Sequence, residues 1–552
     1  MQLKTWTGKW EPWIWLNAGA VALSTIMVFG LLALIAVRGL GHFWPHEVIE
    51  ADVTGKDGQR QHIIGQIADE ELITAQQLRD AGQYVPDGVE VVNRLLLKVG
   101  NRQELGYDFR WVDETSLESV HRPEELVVLE REEWGNAYGR LTRVFEGERV
   151  VAEGASAWDA LLPRIERARA LRDEILRIEK KEIGAINYAL ERLRLKQRRL
   201  ELEGRLTPAA MAQIEADRAE QQARYAALQK DLKALYEEIG RDALELEIMN
   251  GRTVRVPLAK VVRAYRPNAM GLGDKVAFYG AKLWEFVSDD PREANTEGGI
   301  FPAIFGTVLM VLLMSVFVTP LGVVAAVYLR EYAHQGALTR TIRIAVNNLA
   351  GVPSIVYGVF GLGFFIYFLG SGIDEVFFPE ALPSPTFGTP GLLWASLTLA
   401  ILTLPVVIVA TEEGLARIPR SVREGSLALG ATKFETLWRV VLPMASPAMM
   451  TGMILAIARA AGEVAPLMLV GVVKLAPSLP LDGNYPYLHL DQKFMHLGFH
   501  IYDVGFQSPN VEAARPLVYA TALLLVLVIA LLNLSAVFIR NRLRERYKAL
   551  EM

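Results

Sequence analysis

The sequence predicts an all-α bundle of six transmembrane helices that carries, after its first span, a small β domain with an inserted antiparallel helical hairpin. Three observations predict it. Six apolar stretches, near residues 13–37, 303–329, 344–369, 391–411, 447–471 and 517–538, are long enough to cross a hydrocarbon core of about 30 Å. Between Arg38 and Asn295 no stretch qualifies as a span. The composition divides in the same way: 51% of the residues are hydrophobic, yet 22% are charged, which fits a chain shared between bilayer and water.

The first span is expected over Trp13–Val37, preceded by Lys4 and Lys9. It is longer than the apolar core of a cleaved signal and is read as an uncleaved anchor. Trp13, Trp15, Phe43 and Trp44 suit the two membrane interfaces. Residues 38–296 then form an aqueous domain. Strands are expected at Val89–Val99, Phe109–Asp113, Leu126–Glu130 and Tyr138–Val151, the last bending at Glu146-Gly147. Asp57-Gly58 and Asp87-Gly88 are turn signals.

From about 158 to 249 the apolar period changes. Ile183, Ile186, Leu190, Leu193 and Leu200 recur at three–four spacing, with Gln197 in the seam, and so do Tyr225, Leu228, Leu232, Leu235 and Ile239. Gly204 suits the end of one helix, and Thr207-Pro208 the start of the next. Two helices of roughly 40 residues, folded back on each other, are expected. Thr253–Val256 and Val261–Tyr265 return to strand character, so the hairpin is an insertion in one β domain. The five remaining spans and a basic tail at 541–552 complete the chain.

Basic residues orient the bundle. Arg330, Arg340 and Arg343 flank one short loop, and Arg417, Arg420, Arg423, Lys433 and Arg439 lie in the loop at 412–443. Arg540, Arg542, Arg544, Arg546 and Lys548 close the chain. The alternate loop near 371–390 has Asp374, Glu375 and Glu380 but no Lys or Arg. Cationic loops stay inside. The 412–443 loop and both termini are therefore expected in the cytoplasm, and the 38–296 domain outside.

Several functions are excluded. No basic tract with interleaved aromatics points to nucleic acid. The chain has 0 cysteines, which removes disulfides and Cys-based metal or redox sites. It holds no phosphate-binding Gly-x-x-x-x-Gly-Lys-Ser/Thr, no His-Glu-x-x-His and no Gly-x-Ser-x-Gly, and no catalytic constellation is found. His489, His496 and His500, with Asp491 nearby, are expected to be part of an exposed polar loop rather than a metal site.

Two stretches carry chemistry. In the 412–443 loop, Glu424 is followed six residues on by Gly430, then by nine residues and Val440-Val441-Leu442-Pro443. This is similar to the EAA loop of ABC-importer permeases, with Gly425 and Ser426 where the family pattern has Ala-Ala. The resemblance implies a short helix pair, with Arg423, Glu424 and Gly430 at its centre, that docks on a separate ATPase subunit.

In the fifth span, Arg459 and Glu463 lie within Ile457-Ala458-Arg459-Ala460-Ala461-Gly462-Glu463-Val464-Ala465-Pro466. A charge at the centre of a span costs about 2.5–3.5 kcal/mol, so such residues face a bundle interior or a water-filled path. Four residues apart on a helix, the two would share a face. A structural ion pair is one reading. The other is a site on an anion path, because guanidinium matches phosphate oxygens. Gly462 and Pro466 would loosen the local helix.

This segment resembles the phosphate-specific ABC importer permeases of the PstA type, as do three others. These are Gly298-Gly299-Ile300-Phe301-Pro302, Thr319-Pro320-Leu321-Gly322 leading to Tyr328-Leu329-Arg330-Glu331-Tyr332, and Asn348-Leu349-Ala350-Gly351-Val352-Pro353-Ser354-Ile355-Val356-Tyr357-Gly358. The likeness covers about residues 297–540 and, loosely, the first span.

The resemblance implies a type I ABC importer permease in a bacterial inner membrane, a subunit of an ATP-driven phosphate importer. Its partners would be a second permease, two ATPase subunits carrying ATP and Mg2+, and an external phosphate-binding protein. This chain would hold no cofactor and no ATPase site. Two alternatives stand beside it: a permease for another oxyanion or small solute, and a membrane-anchored sensor or scaffold using its outward hairpin.

Overall fold

The computed structural model describes residues 11–54, 60–80, 88, 90–508 and 511–547. Lys4, Lys9, the Asp57-Gly58 turn, Asp87 and Lys548 lie outside the described residues, as does the side chain of Arg546. The first helix, α1 (Glu11–Gly41), is apolar along nearly its whole length and ends with Arg38 in its last turn.

The domain that follows contains two antiparallel sheets. One is formed by β1 (Val48–Thr54), β2 (Arg60–Thr74), β3 (Val91–Lys98), β4 (Phe109–Asp113) and β5 (Leu117–His121), in the order β4-β3-β2-β1-β5. The other uses β6 (Leu126–Arg131), β7 (Ala137–Glu146), β8 (Arg149–Glu153), β9 (Asp242–Ile248), β10 (Arg252–Pro257) and β11 (Val261–Tyr265). Its order is β10-β9-β7-β6-β11, with β8 on β7. Val48 and Ile64 of one sheet and Leu126, Val128 and Tyr138 of the other form one buried cluster, so the sheets share a core.

Sequence periodicity misses β1, β2, β5 and β9. In β2 the second half, Asp69-Glu70-Glu71, is polar and exposed, and backbone pairing with β3 holds it where side-chain burial does not. The chain bends between β7 and β8 at Glu146-Gly147, where Gly147 has φ +62°, a left-handed backbone that glycine adopts without strain.

Between β8 and β9 lie α2 (Ala157–Leu176), a π-helical stretch (Arg177–Ile183), α3 (Gly184–Leu202) and α4 (Pro208–Ile239). The sequence reading carries helix to about 249, but α4 ends at Ile239 and the chain at once enters β9. Leu161 and Ile165 of α2 pack on Val127, Leu129, Leu244 and Leu246 of the second sheet. Gly204 has φ +65° and makes the turn, and the Thr207 hydroxyl accepts from the Ala210 amide at 3.2 Å, an N-cap ahead of Pro208. The two arms touch through Tyr236, which donates to Glu179 at 2.7 Å, and Arg218, which donates to Gln197 at 3.0 Å.

Then comes α5 (Leu272–Ser288), a helix the sequence reading does not contain. The rest of the chain is α6 (Phe301–Val327, extended by a π turn to Tyr332), α7 (Ala337–Leu349), α8 (Ser354–Phe360, continuing through a π-helical stretch to Phe377), α9 (Leu392–Arg417), α10 (Arg420–Ala428), α11 (Lys433–Thr436), α12 (Leu442–Ala461, joined to α11 by a π turn) and α13 (Val511–Tyr547). Among the described residues 6 helices are long and apolar enough to cross a membrane. The third begins ten residues later than the sequence reading places it, at Ser354 rather than 344, because Ala337–Leu349 folds as a separate amphipathic helix.

Helix α9 forms the centre of the bundle. Its Ala395, Leu399 and Val407 are buried with Met310, Met314 and Val318 of α6 and with Ala456 and Ala460 of α12. Small residues bring the helices close: a methyl group at Gly452 would lie 2.8 Å from the Ala410 methyl, the contact style of membrane helices.

Candidate functional site

The fifth span does not run unbroken through the charged pair. Helix α12 ends at Ala461, and Gly462 to Pro466 is irregular before a short helical turn at Leu467–Val470. Arg459 therefore occupies the last helical turn, while Glu463 lies beyond the helix end. The two side chains still lie on one side, as their i, i+4 spacing predicts.

Arg459 Nε and Glu463 Oε1 are 3.7 Å apart, with side chains 35% and 19% exposed. That distance is too long for a hydrogen bond. Arg459 Nε is buried with no hydrogen-bond partner. Leaving a buried charged donor unpaired costs about 1–3 kcal/mol or more, so a tightly closed ion pair is not what this geometry builds.

The helix break faces another irregular element. A Cβ at Gly358 of α8 would lie 2.7 Å from Pro466 Cα, so only glycine permits this approach. Just beyond, α8 widens into its π-helical stretch at Gly361. Widened or broken helices at membrane depth are tolerated where they line a cavity or pack on protein. Tyr357, beside Gly358, donates to the Leu349 carbonyl at 2.6 Å and pins the start of α8.

A second site lies at the far end of α9, whose 26 residues correspond to about 39 Å at 1.5 Å per residue. Here α10 and α11 form a helix–turn–helix. The turn needs Gly430, whose φ is +90°. Thr432 caps α11: its hydroxyl accepts from the Glu435 amide at 3.2 Å, and Glu435 accepts from the Thr432 amide at 2.9 Å. This reciprocal capping box follows from Thr-x-x-Glu.

Arg423 ties the loop to the bundle. It donates to Glu331 at 2.8 Å and to the carbonyls of Ile418 and Leu415 at 2.7 and 2.9 Å. Glu424 is exposed on α10. Lys433 donates to the Glu331 carbonyl at 2.5 Å and lies 4.5 Å from the Tyr332 ring centroid. Leu429, Phe434 and Trp438 project outward, 91%, 66% and 64% exposed. Sequence reasoning missed Glu331 and these three apolar residues. The signal for the latter was present as large apolar side chains within a charged loop.

The three histidines do not form an exposed polar loop, as the sequence reading has it: His489, His496 and His500 are all buried. They also serve separate contacts. His489 bonds Asp482 at 2.9 Å, and His496 Nδ1 accepts from the Gly498 amide at 3.1 Å. Burial pushes His496 down to about 3 and His500 down to about 4, so both are neutral at pH 7. Among the described residues no group of three or more His, Cys, Asp or Glu suits a metal ion.

Residues 318–548 match the family of binding-protein-dependent transport system inner membrane components. The chain is 37% identical over 247 residues to the phosphate transport system permease protein PstA 1 of Mycobacterium tuberculosis (strain CDC 1551 / Oshkosh), covering 44% of this chain and 71% of that protein.

The chain belongs to the PstA-type ABC permeases.

A phosphate transport system permease protein PstA of Yersinia pestis is 32% identical over 257 residues, covering 47% of this chain and 77% of that protein. Among solved structures, a chain of the MetNI methionine ABC transporter in inward-facing conformations has a TM-score of 0.33 at 20% identity, covering 44% of this chain and 94% of that one. The family match contains both charged sites of this permease, the Arg423 loop and the Arg459 break. The β domain and the helices α2–α4 lie outside the matched residues.

Proposed function

We propose that this permease forms the translocation path of an ATP-driven phosphate importer, with Arg459 as the anion contact on that path. The single observation that carries the reading is the buried, unpartnered Nε of Arg459 beside a broken helix. An oxyanion arriving there supplies the missing acceptors. Guanidinium presents its donors as a planar fork that suits two phosphate oxygens. Glu463, 3.7 Å away, holds the guanidinium without saturating it and accepts a hydrogen bond from a protonated phosphate oxygen.

ATP and Mg2+ belong to a pair of separate ATPase subunits that dock on the loop between α9 and α12. In this reading it is an EAA loop, and Leu429, Phe434 and Trp438 offer the apolar knob that such a partner buries. Arg423 then passes the push to Glu331 at the end of α6. A second permease subunit completes the path, and an external binding protein delivers phosphate. The loop and both termini lie in the cytoplasm, with the β domain outside. Rocking of the helices around the Gly462–Pro466 break provides alternating access.

The test is uptake of labelled phosphate by vesicles holding the assembled transporter. Arg459→Ala, at normal membrane insertion, is expected to lower uptake about tenfold or more, equivalent to about 1.4 kcal/mol per tenfold. Full uptake in that variant overturns the anion-path reading.

A further inference from the structure

Helix α5 is built inside out. Its charged residues point into the protein. Lys282 donates to Glu130 at 2.9 Å, and Glu285 accepts from Arg263 at 3.0 Å and from Arg292 at 2.9 Å. Lys275 lies 3.7 Å from Glu47. Its outward face consists of Leu272, Gly273, Val276, Ala277, Gly280, Ala281 and Trp284, all exposed. Leu272, Val276 and Trp284 are 74%, 55% and 71% exposed. The one charged residue beside that face, Asp274, is at its N-terminal edge and accepts the Gly271 amide at 3.1 Å as a cap.

A helix in water turns the opposite way, apolar stripe in and charges out. At about 100° per residue this outward face covers roughly half the circumference, a contiguous apolar patch of a kind that solvated surfaces rarely leave bare.

Its position identifies what covers it. Phe286 of α5 packs on Phe43 with tilted rings 4.9 Å apart between centroids, and Tyr279 meets Trp44 at 5.8 Å. Both partners follow directly on the end of the first membrane span. Phe286 also joins a buried cluster with Ile300 and Ala303 at the start of α6 and Leu517 of α13. These contacts set α5 beside the end of the first span and the start of the second, and Trp284 is the residue type enriched where spans meet head groups.

We infer that α5 lies in the head-group region of the bilayer, on the side that carries the β domain, with its Leu272–Trp284 face in lipid. The ionic cluster on its other face then fastens the β domain to the membrane surface, because Glu130 and Arg263 belong to β6 and β11. This anchor is independent of which solute the permease carries.

The chain's lack of cysteine makes the test clean. Val276→Cys and Ala281→Cys are each spin-labelled in the full chain in phospholipid nanodiscs. Leu31→Cys on α1 serves as the lipid reference and Glu148→Cys in the β7–β8 turn as the water reference. Collision with oxygen, which concentrates in lipid, is compared with collision with a neutral nickel complex, which stays in water. Both labels are expected to give a ratio between those of Leu31 and Glu148, clearly above that of Glu148. A ratio like that of Glu148 overturns the inference. So does low access to both probes, which means that a protein neighbour drawn to the Gly273–Ala277–Ala281 small-residue stripe covers the face. Two positions keep the result decisive if one substitution impairs insertion.

Discussion

Arg423 and Arg459 lie 36 positions apart in one matched family region, yet the fold treats them in opposite ways. Arg423 is satisfied by one carboxylate and two carbonyls, all within 2.9 Å. Arg459 has one carboxylate at 3.7 Å and a buried Nε with no partner. The first holds a loop in place. The second leaves hydrogen-bonding capacity unused. Satisfaction of its donors, rather than depth in the bundle, separates a structural arginine from a candidate binding one.

The sharpest way to break that comparison is stability. Arg423→Ala leaves a mostly buried Glu331 without its cation, and a loss of about 2–4 kcal/mol is expected. Arg459→Ala removes an unsatisfied group, and a change within about 1 kcal/mol is expected. Thermal unfolding of the detergent-solubilised permease measures both. Equal losses would erase the distinction.

Acid provides a second test, through two histidines that burial keeps neutral. The unfolded state protonates His496 and His500 near 6.5, whereas the folded state resists until about 3 and 4. Below pH 6.5 the unfolded chain binds more protons. Stability is therefore present above 6.5 and falls as pH drops toward 4, by about 1.4 kcal/mol per pH unit per histidine. Replacing His500 with Gln should flatten that slope, as pH-dependent melting would record.

Smaller effects sharpen the comparison within the loop. Thr432→Ala removes the cap of α11 and is expected to cost about 1 kcal/mol, visible as faster amide exchange in α10 and α11 while Arg459-dependent uptake persists.

A third arginine lies between the extremes. Arg199 of α3 reaches across to the buried carboxylate of Glu380, while Tyr188, about three turns earlier on the same helix, donates to the Tyr485 carbonyl and Arg192 lies 5.5 Å from the Tyr485 ring centroid. Arg199 is 56% exposed, so a double-mutant cycle on Arg199 and Glu380 should return only about 0.5–1 kcal/mol.

Much of the bundle was legible in the residues alone. A run of about 20 apolar residues has few fates besides a span, and six such runs become the six apolar helices. Gly204, Thr207-Pro208 and Gly430 mark turns and caps because their backbone preferences are local. Strands β1 and β2 were not legible, since pairing with a neighbour holds them more than their own alternation does. Helix α5 escaped because its outward apolar face and inward charges invert the pattern used to recognise a solvated helix. The histidines were misread because polar composition suggests exposure, whereas the fold buries all three.

For the sites, the chain alone singled out Arg423, Glu424 and Gly430 through the resemblance to an EAA loop, and Arg459 and Glu463 through the energetic oddity of charge among apolar residues. Only the folded molecule decided their partners. Glu331 meets Arg423 across 92 positions, and the helix break at Gly462 leaves Glu463 3.7 Å from Arg459, short of a hydrogen bond. Spacing along a helix is a property of neighbours in sequence, whereas hydrogen-bond satisfaction depends on which distant segments packing brings within 3 Å.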